Sequence, residues 1–532
     1  MTLSGVQQQG VRGSEAAVRP RAGYAMALAA ASSLAVLIAN ASGIATGDDG
    51  VGYRATADSL LNGEGFGYFL EDPLTVWPPV WPGLMAFVAK VTPLDTLGAA
   101  ILLNAVVAFL VVLAGHRLLR ELVADDRLVL LGTAVFALGP TTIGFGRLLM
   151  TDTAFALVIL VWSLALLRFR RSGSMGDLAA AAALAWLAFG LRYVGVVLIG
   201  FGGLWLLFDQ RRRVLDRLRD GVLYGLASLS VPLAWMLRNH SIDGTFTGER
   251  HGSARGLVDN GFDIAATLGR FLLPGLGYGM TKVWAAVGII ALAVALFLTY
   301  RVLKGRDGSS PIRELVRIAG EPAGLLAIVG VLYLTYMLYV RSTTALNQLD
   351  VRLLYPAYFP LLVLGLVIVD RLLAQDRTDP WAQRAWGVAH LWAALNVLAG
   401  LVAMVAFALG HPYFSGNYES DTFQEVRDDP ALQALPAGCT VYSNLPNGLY
   451  PEVEAQWSPM RTALESNDDP DPGFGLADIE ETLDDQPSCL VWIDEDPVYG
   501  HLWPLEDLEQ QLELTELDRG DEVTVFRMEA RT

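Results

Sequence analysis

Charge is scarce in this sequence: 17% of its 532 residues are charged, against about 25% in an ordinary soluble domain. Lysine is absent from His411 onward, and cysteine occurs only at Cys439 and Cys489. No H-E-x-x-H or C-x-x-C run is present, so no dedicated metal cluster is written into the chain. No Walker loop lies in the polar connections, which argues against an ATP-driven pump. No inverted repeat is apparent. The basic N-terminus precedes an apolar run long enough to span, without a clean A-x-A site, so the sequence predicts an anchor rather than a cleaved signal.

Apolar runs are abundant. Hydrophobic residues make up 53% of the chain and the mean hydropathy is +0.40. Ala99–Ala114 and Ala285–Tyr300 are typical uncharged or nearly uncharged runs, and Leu361–Val369 is a shorter one. Such runs approach the ~20 residues a helix needs to cross a bilayer core. In lipid only a helix or a closed barrel satisfies its own backbone. The expected fold is therefore an all-α membrane domain of about eleven spans: 24–44, 97–116, 128–145, 153–168, 177–190, 194–209, 221–237, 283–300, 320–340, 353–370 and 386–409.

Alternate connections are rich in arginine. Arg12/Arg19/Arg21, Arg117/Arg120/Arg127, Arg168/Arg170/Arg171, Arg211–Arg213 with Arg217 and Arg219, Arg301/Lys304/Arg306/Arg313/Arg317 and Arg371/Arg377/Arg384 hold 22 of the 38 basic residues. Cytoplasmic loops carry that excess. The expectation is a multi-pass protein of the cell membrane, with a cytoplasmic N-terminal tail (1–23), a membrane domain (24–410, first outer loop 45–96) and an outer C-terminal domain (411–532). The net charge of −17 divides at the same boundary, since 411–532 carry 28 Asp/Glu against five Arg. That acidity argues against nucleic acid and against docking on anionic lipid. Strand-like runs at Cys439–Asn444, Cys489–Asp494 and Glu522–Phe526, with acidic helix-like segments between them, predict a small α/β domain. The two cysteines each open a strand there, as a disulfide in an oxidising compartment or as two core thiols.

Polar residues gather in the outer loops. The first offers Asp48 and Asp49 directly after the first span, as base, metal ligands or acidic helix caps. Tyr53, Ala57, Leu60 and Leu61 follow at helical spacing, and "VWPPVWPG" (Val76–Gly83) reads as a rigid aromatic return to the membrane face. Tyr53, Tyr68, Trp77, Trp81 and Tyr193 can stack on sugar rings or form an interfacial aromatic belt. Within the spans, Asn104 and Asn396 read as helix–helix contacts, and the Tyr333/Tyr336/Tyr339 row as packing.

The combination D-x-x-x-Y (Asp49–Tyr53), "A..LL.G.GF" and "WPP..PG" resembles the GT-C superfamily. These are membrane glycosyltransferases that use lipid-phosphate sugars, among them protein O-mannosyltransferases and the aminoarabinose transferases acting on lipid A. "GRLLMTDTAFAL" (Gly146–Leu157), "LRYVGVVL" (Leu191–Leu198), "PLAWMLRNHSIDGTFTGER" (Pro232–Arg250) and "DVRLLYPAYFP" (Asp350–Pro360) extend the resemblance in order along the membrane part. "YSNLPNGLY" (Tyr442–Tyr450) is similar to the outer domain of such proteins, without a chemistry attached.

The resemblance implies an inverting glycosyltransferase that moves a sugar from a polyprenyl-phosphate donor to a hydroxyl of a protein, lipid or polysaccharide at the outer membrane face. It makes Asp49 the base, beside Asp48, with Asp152 a second acid. Tyr53, Arg147, Arg192, Arg238, Arg250, His251 and Arg352 are then candidates for phosphate or sugar, because arginine forms charge-assisted, often bidentate bonds to phosphate. Snorkelling or structural ion pairing is the alternative for each arginine. Asp49 and Asp152 can also hold a divalent cation, Mg2+ or Mn2+. A secondary transporter or flippase of lipid-linked sugars is the competing reading, but it would place ionisable residues near the midplane. A scaffold would leave the first loop unexplained.

Overall fold

The computed structural model describes residues 19–68, 73–248, 250, 252–272, 279–304, 316–411, 417–458, 464–466, 469–471, 483, 486–494 and 502–531. Fifteen helices precede the outer domain among them: α1 (Arg19–Ala39), α2 (Asp48–Asn62), α3 (Val80–Val91), α4 (Thr96–Leu122), α5 (Asp126–Leu138), α6 (Pro140–Gly146), α7 (Asp152–Ser172), α8 (Met175–Leu191), α9 (Val197–Phe208), α10 (Val214–Asp243), α11 (Leu257–Leu272), α12 (Thr281–Lys304), α13 (Pro322–Thr343), α14 (Val351–Gln375) and α15 (Pro380–Ala408). Eight segments are long and apolar enough to cross a membrane: α4, α5 with α6, α7, α10, α12, α13, α14 and α15. The expected spans 24–44, 177–190 and 194–209 fall on shorter apolar helices, so helix length alone does not carry the count of eleven.

α4, α7 and α14 supply Val111, Phe155, Trp162, Tyr355 and Phe359 to the main buried core, where Phe359 stacks on Phe136 of α5 and Tyr355 packs on Phe145 of α6 (ring centroids 4.7 and 4.2 Å). α12 exposes Ile289, Ile290, Leu292 and Leu296. An exposed apolar surface of that kind is unfavourable in water and is the contact face in a bilayer. Glycine lets α11 and α12 approach backbone to backbone: a Cβ on Gly288 would lie 1.8 Å from the Ala265 carbonyl oxygen, and one on Gly269 2.2 Å from that of Trp284.

The connections sort to two ends. At one, Arg171 pairs with Glu121, Arg170 with Asp209 (3.4 Å), Arg371 with Glu321 (3.0 Å) and Arg301 with Asp379 (3.0 Å). The Asp370 carboxylate there accepts from the N–H groups of Ala124 and Asp125. These are the arginine-rich connections of the sequence. The other end carries α2, the turn before α7, the α8–α9 break, the start of α14 and the C-terminal domain.

Asn104 joins helices as expected, its amide donating to the carbonyls of Gly146 and Leu148 (3.1 and 2.8 Å). Asn396 is also buried, but among the described residues its amide donates back to the Trp392 carbonyl of its own helix (3.0 Å) and its carbonyl oxygen finds no partner. Of the tyrosine row, Tyr333 is buried and donates to the Leu353 carbonyl (3.0 Å), whereas Tyr339 is exposed. A repeat of three drifts off one face of a 3.6-residue helix.

The outer domain contains α16 (Asp421–Asp428), β1 (Thr440–Ser443), α17 (Pro446–Leu449), β2 (Gln456–Trp457), a hairpin of β3 (Leu464–Ser466) and β4 (Asp469–Asp471), β5 (Ser488–Ile493), α18 (Leu505–Gln511), β6 (Leu512–Arg519) and β7 (Val523–Ala530). Its main sheet has the order β2-β1-β5-β7-β6, with β2, β1 and β5 parallel and β7 antiparallel to β5 and β6. β5 is buried along its whole length, as a central strand covered on both faces requires. β6 was not among the expected strands: its apolar residues are spaced among Glu513, Glu516 and Asp518, and its outward face is polar.

A disulfide joins Cys439 to Cys489 across 50 residues. Cys439→Ser is expected to destabilise the outer domain by about 2–4 kcal/mol, chiefly by freeing its unfolded chain. Limited proteolysis checks this, with faster cleavage of the outer domain and an unchanged membrane core.

Candidate active site

α2 begins after Gly47 and ends at Gly63, whose φ of 87° suits a residue without Cβ. Its first turn holds Asp48 and Asp49, where carboxylates complement the positive end of the helix. At about 100° per residue, Asp48, Val51, Ala55 and Asp58 lie along one side, and Asp49, Tyr53, Ala57 and Leu60 along the other. The outer domain takes the first side. Val51 and Ala55 pack with Tyr418, Leu449 and Tyr450. Tyr450 donates to Asp58 (2.7 Å), and Arg54 pairs with Glu419 (2.8 Å). The membrane domain takes the second side, burying Tyr53 and Ala57 in its main core. Adjacent carboxylates thus point into different domains.

Asp49 forms an ion pair with Arg352. The Arg352 Nε lies 3.9 Å from Asp152 Oδ2, and Asp152 Oδ1 accepts from Arg192 Nη1 at 2.6 Å. Two carboxylates and two guanidiniums therefore alternate: Asp49, Arg352, Asp152, Arg192. Four separate elements supply them. Arg352 stands in the first turn of α14, where Asp350 caps the helix by accepting from the N–H groups of Arg352 and Leu353 (2.9 and 3.1 Å). Asp152 is the first residue of α7. Arg192 occupies an extended break between α8 and the short turn Tyr193–Val196 (φ −150°). Asp152 is wholly buried, while the Asp49 and Arg352 side chains keep 26% and 23% of their exposure. Asp152 forms the floor and Asp49 with Arg352 the accessible edge. Asp152 Oδ2 finds no hydrogen-bond partner among the described residues. Tyr53 lies beside this group. Burial pushes its hydroxyl up to about 12, partly offset by the Arg192 guanidinium, so at neutral pH it is an uncharged phenol.

The other predicted residues stand elsewhere. Asp48 is not turned toward this group: its Oδ1 accepts from the Tyr418 hydroxyl (2.8 Å) and the Asn447 amide (2.7 Å), although its charge still acts on Arg352. Arg147 is buried and donates to the carbonyls of Ala39 (2.6 Å) and Gly43 (2.8 Å), which ties the end of α1 to the turn before α7. Its guanidinium also lies over the Phe407 ring (5.6 Å), which keeps it from facing outward. Arg238 donates to the Leu74 carbonyl (2.6 Å) and lies over Trp235 (4.5 Å). Arg250 is exposed, donates to the Thr247 carbonyl (2.9 Å) and acts electrostatically on Tyr193. His251 lies outside the described residues.

The aromatics divide similarly. Trp81 is fully buried, which rules out stacking on a substrate there. Tyr193 donates to the Thr75 carbonyl (2.5 Å) and accepts from Trp235 (3.1 Å) and Asn239 (3.0 Å). The W-x-x-R-N segment thus holds the descending arm of the first loop. Tyr53 and Tyr68 pack against Trp77, with centroids 6.0 and 5.1 Å apart. Sequence reading assigned no role to Tyr418, Asn447 or Tyr450. "YSNLPNGLY" was the signal for the last two, its Pro446 and Asn447-Gly448 marking a shaped turn.

Among the described residues no three His, Cys, Asp or Glu side chains gather to hold a metal. Asp49 and Asp152 each already face a guanidinium. A hard divalent cation wants six or more oxygens, so one using both carboxylates would have to displace Arg352.

Asp350 gives a pH prediction. Burial pushes its carboxyl up to about 6, against the pull of the two capping N–H groups. The unfolded value is about 3.9. Between these values the folded protein keeps a proton that the unfolded chain has released, so this contribution to stability falls as pH rises from about 4 to 6. Asp350→Asn keeps an acceptor for the cap and removes the titration. Thermal melts in nanodiscs are expected to show wild type losing stability relative to the variant across that window.

The fold of this chain is shared by solved structures of ArnT and of the oligosaccharyltransferase AglB, in line with the fold that the motif resemblance implied. ArnT from Cupriavidus metallidurans bound to undecaprenyl phosphate matches with a TM-score of 0.57 at 13% identity, over 97% of this chain and 98% of ArnT. Its apo state matches with 0.51 at 16% identity, over 96% and 98%. The archaeal oligosaccharyltransferase AglB from Archaeoglobus fulgidus, in complex with an inhibitory peptide and a dolichol-phosphate, gives 0.52 at 12% identity, over 88% of this chain and 69% of AglB. No protein-family model and no curated protein matches the sequence.

Proposed function

We propose that this protein is an inverting glycosyltransferase that moves a sugar from a polyprenyl-phosphate donor to an acceptor hydroxyl at the outer face of the cell membrane. The carrying observation is the Asp49–Arg352–Asp152–Arg192 alternation at the bundle end opposite the arginine-rich connections. Taking those connections as cytoplasmic puts the N-terminus inside and the outer domain outside. The ligands named for the two solved relatives, undecaprenyl phosphate and dolichol-phosphate, agree with a donor whose tail stays in lipid.

In this reading the donor phosphate competes with Asp49 for Arg352 and releases the carboxylate. Asp49 then takes the proton of the acceptor hydroxyl as its oxygen attacks the anomeric carbon. The carbon–oxygen bond to phosphate breaks, its electron pair leaves with the polyprenyl phosphate, and Arg352 stabilises that charge. Attack from the side opposite the leaving group inverts the anomeric configuration. Asp152 holds Arg352 and Arg192 in place, and its open Oδ2 can accept from a substrate hydroxyl. The acceptor is a protein, lipid or polysaccharide hydroxyl.

The test is transfer from radiolabelled polyprenyl-phosphate sugars in membranes containing the protein, with the anomer of the product determined by NMR. Labelled product of inverted configuration supports the reading. Retained configuration excludes single displacement. Movement of the lipid-linked sugar across the bilayer without transfer replaces the enzyme by a flippase.

A further inference from the structure

α2 is held on both sides, and the contacts on its outer side have no place in the transfer chemistry. The Tyr418 hydroxyl and the Asn447 amide converge on one oxygen of Asp48, at 2.8 and 2.7 Å. The same strand of contacts continues to the backbone. The Tyr418 N–H donates to the Thr46 carbonyl (3.0 Å), and the Thr46 N–H to Asn417 Oδ1 (2.9 Å). Asn447 belongs to α17, which follows β1 directly, and Tyr418 is buried beside it in the outer-domain core. Asn447 is therefore held next to β1, and Tyr418, in the turn before α16, is held by its burial in the same core.

Helix geometry gives these contacts a consequence. Asp48 and Asp49 are about 100° apart around α2, so any rotation that relaxes Asp48 swings Asp49 away from Arg352 by the same angle. Two donors on one carboxylate oxygen are charge-assisted and directional, which suits them to set that angle.

We propose that the acidic outer domain is a positioning component of the catalytic site: Tyr418 and Asn447 hold Asp48 and thereby aim Asp49. This rests on the transferase reading for its kinetic effect, though not for its structural one. Neither residue touches the reacting atoms.

The test uses the full chain in nanodiscs. Tyr418→Phe removes one hydroxyl and Asn447→Ala one amide. Each is expected to lower kcat about tenfold with little change in KM for the lipid donor, and to speed hydrogen exchange of the amides of 48–55. Exchange in β5 is expected to stay slow, which separates a released clamp from an unfolded domain. In the Asp48→Ala background the same substitutions are expected to change neither residual kcat nor exchange, because the contact they act through is gone. Equal losses in both backgrounds, or lower kcat with unchanged exchange at 48–55, would overturn the proposal. If wild type transfers no sugar from any donor, the transferase reading fails. The exchange measurements then still decide whether Asp48 couples the outer domain to α2.

Discussion

Asp49→Asn is expected to lower sugar transfer by about 10²–10⁴-fold, the usual contribution of a positioned general base, at unchanged expression and thermal stability. The amide is nearly isosteric with the carboxylate and keeps one acceptor toward Arg352, so folding has little reason to change. It cannot take the proton of an attacking hydroxyl. Asp49 also keeps a quarter of its exposure at the edge of the site, so losing its charge leaves no deeply buried arginine unpaired. The loss is expected in kcat more than in KM, since the proton moves only as the new bond forms. Measuring initial rates with saturating lipid donor checks this. Equal rates from wild type and variant would remove Asp49 from the chemistry.

Arg192→Ala is expected to act on the fold instead, costing about 3–5 kcal/mol, the usual range for breaking one side of a buried ion pair. Asp152 is fully buried and Arg192 donates to it at 2.6 Å. Without that donor the carboxylate's remaining ion-pair partner among the described residues is the Arg352 Nε at 3.9 Å. A buried charge with one distant partner is strongly unfavourable. Expression and melting temperature in nanodiscs are the readouts. The double replacement Asp152→Leu with Arg192→Met is expected to restore much of the stability, because an apolar pair needs no desolvation of charge, while activity stays lost. Recovery of activity in the double variant would show that the pair plays no part in transfer.

These two outcomes differ because the four charged residues are unequally buried, and burial was not legible in the sequence. The order of the apolar runs was legible: each of the eleven expected spans falls on a helix, although three of those helices are short. So was the small C-terminal α/β fold, since strand-like runs among acidic residues follow the end of the apolar ones. Asp48 and Asp49 were legible because polar residues are few beside the first span, whereas Asp152, Arg192 and Arg352 were candidates only through the motif resemblance. Arg147 was equally conspicuous, and only its burial against the carbonyls of Ala39 and Gly43 separates it from the others.

The sequence by itself determined that this is a membrane protein, where its long apolar helices run and which connections share a charge, because hydropathy and charge act locally and accumulate along the chain. Only the tertiary structure decided which of two neighbouring aspartates faces Arg352, and that Tyr418 and Asn447 reach Asp48 from about 370 and 400 residues away. A turn of about 100° between adjacent helical residues separates those two fates. What lies on each side of α2 depends on contacts made after the whole chain has packed.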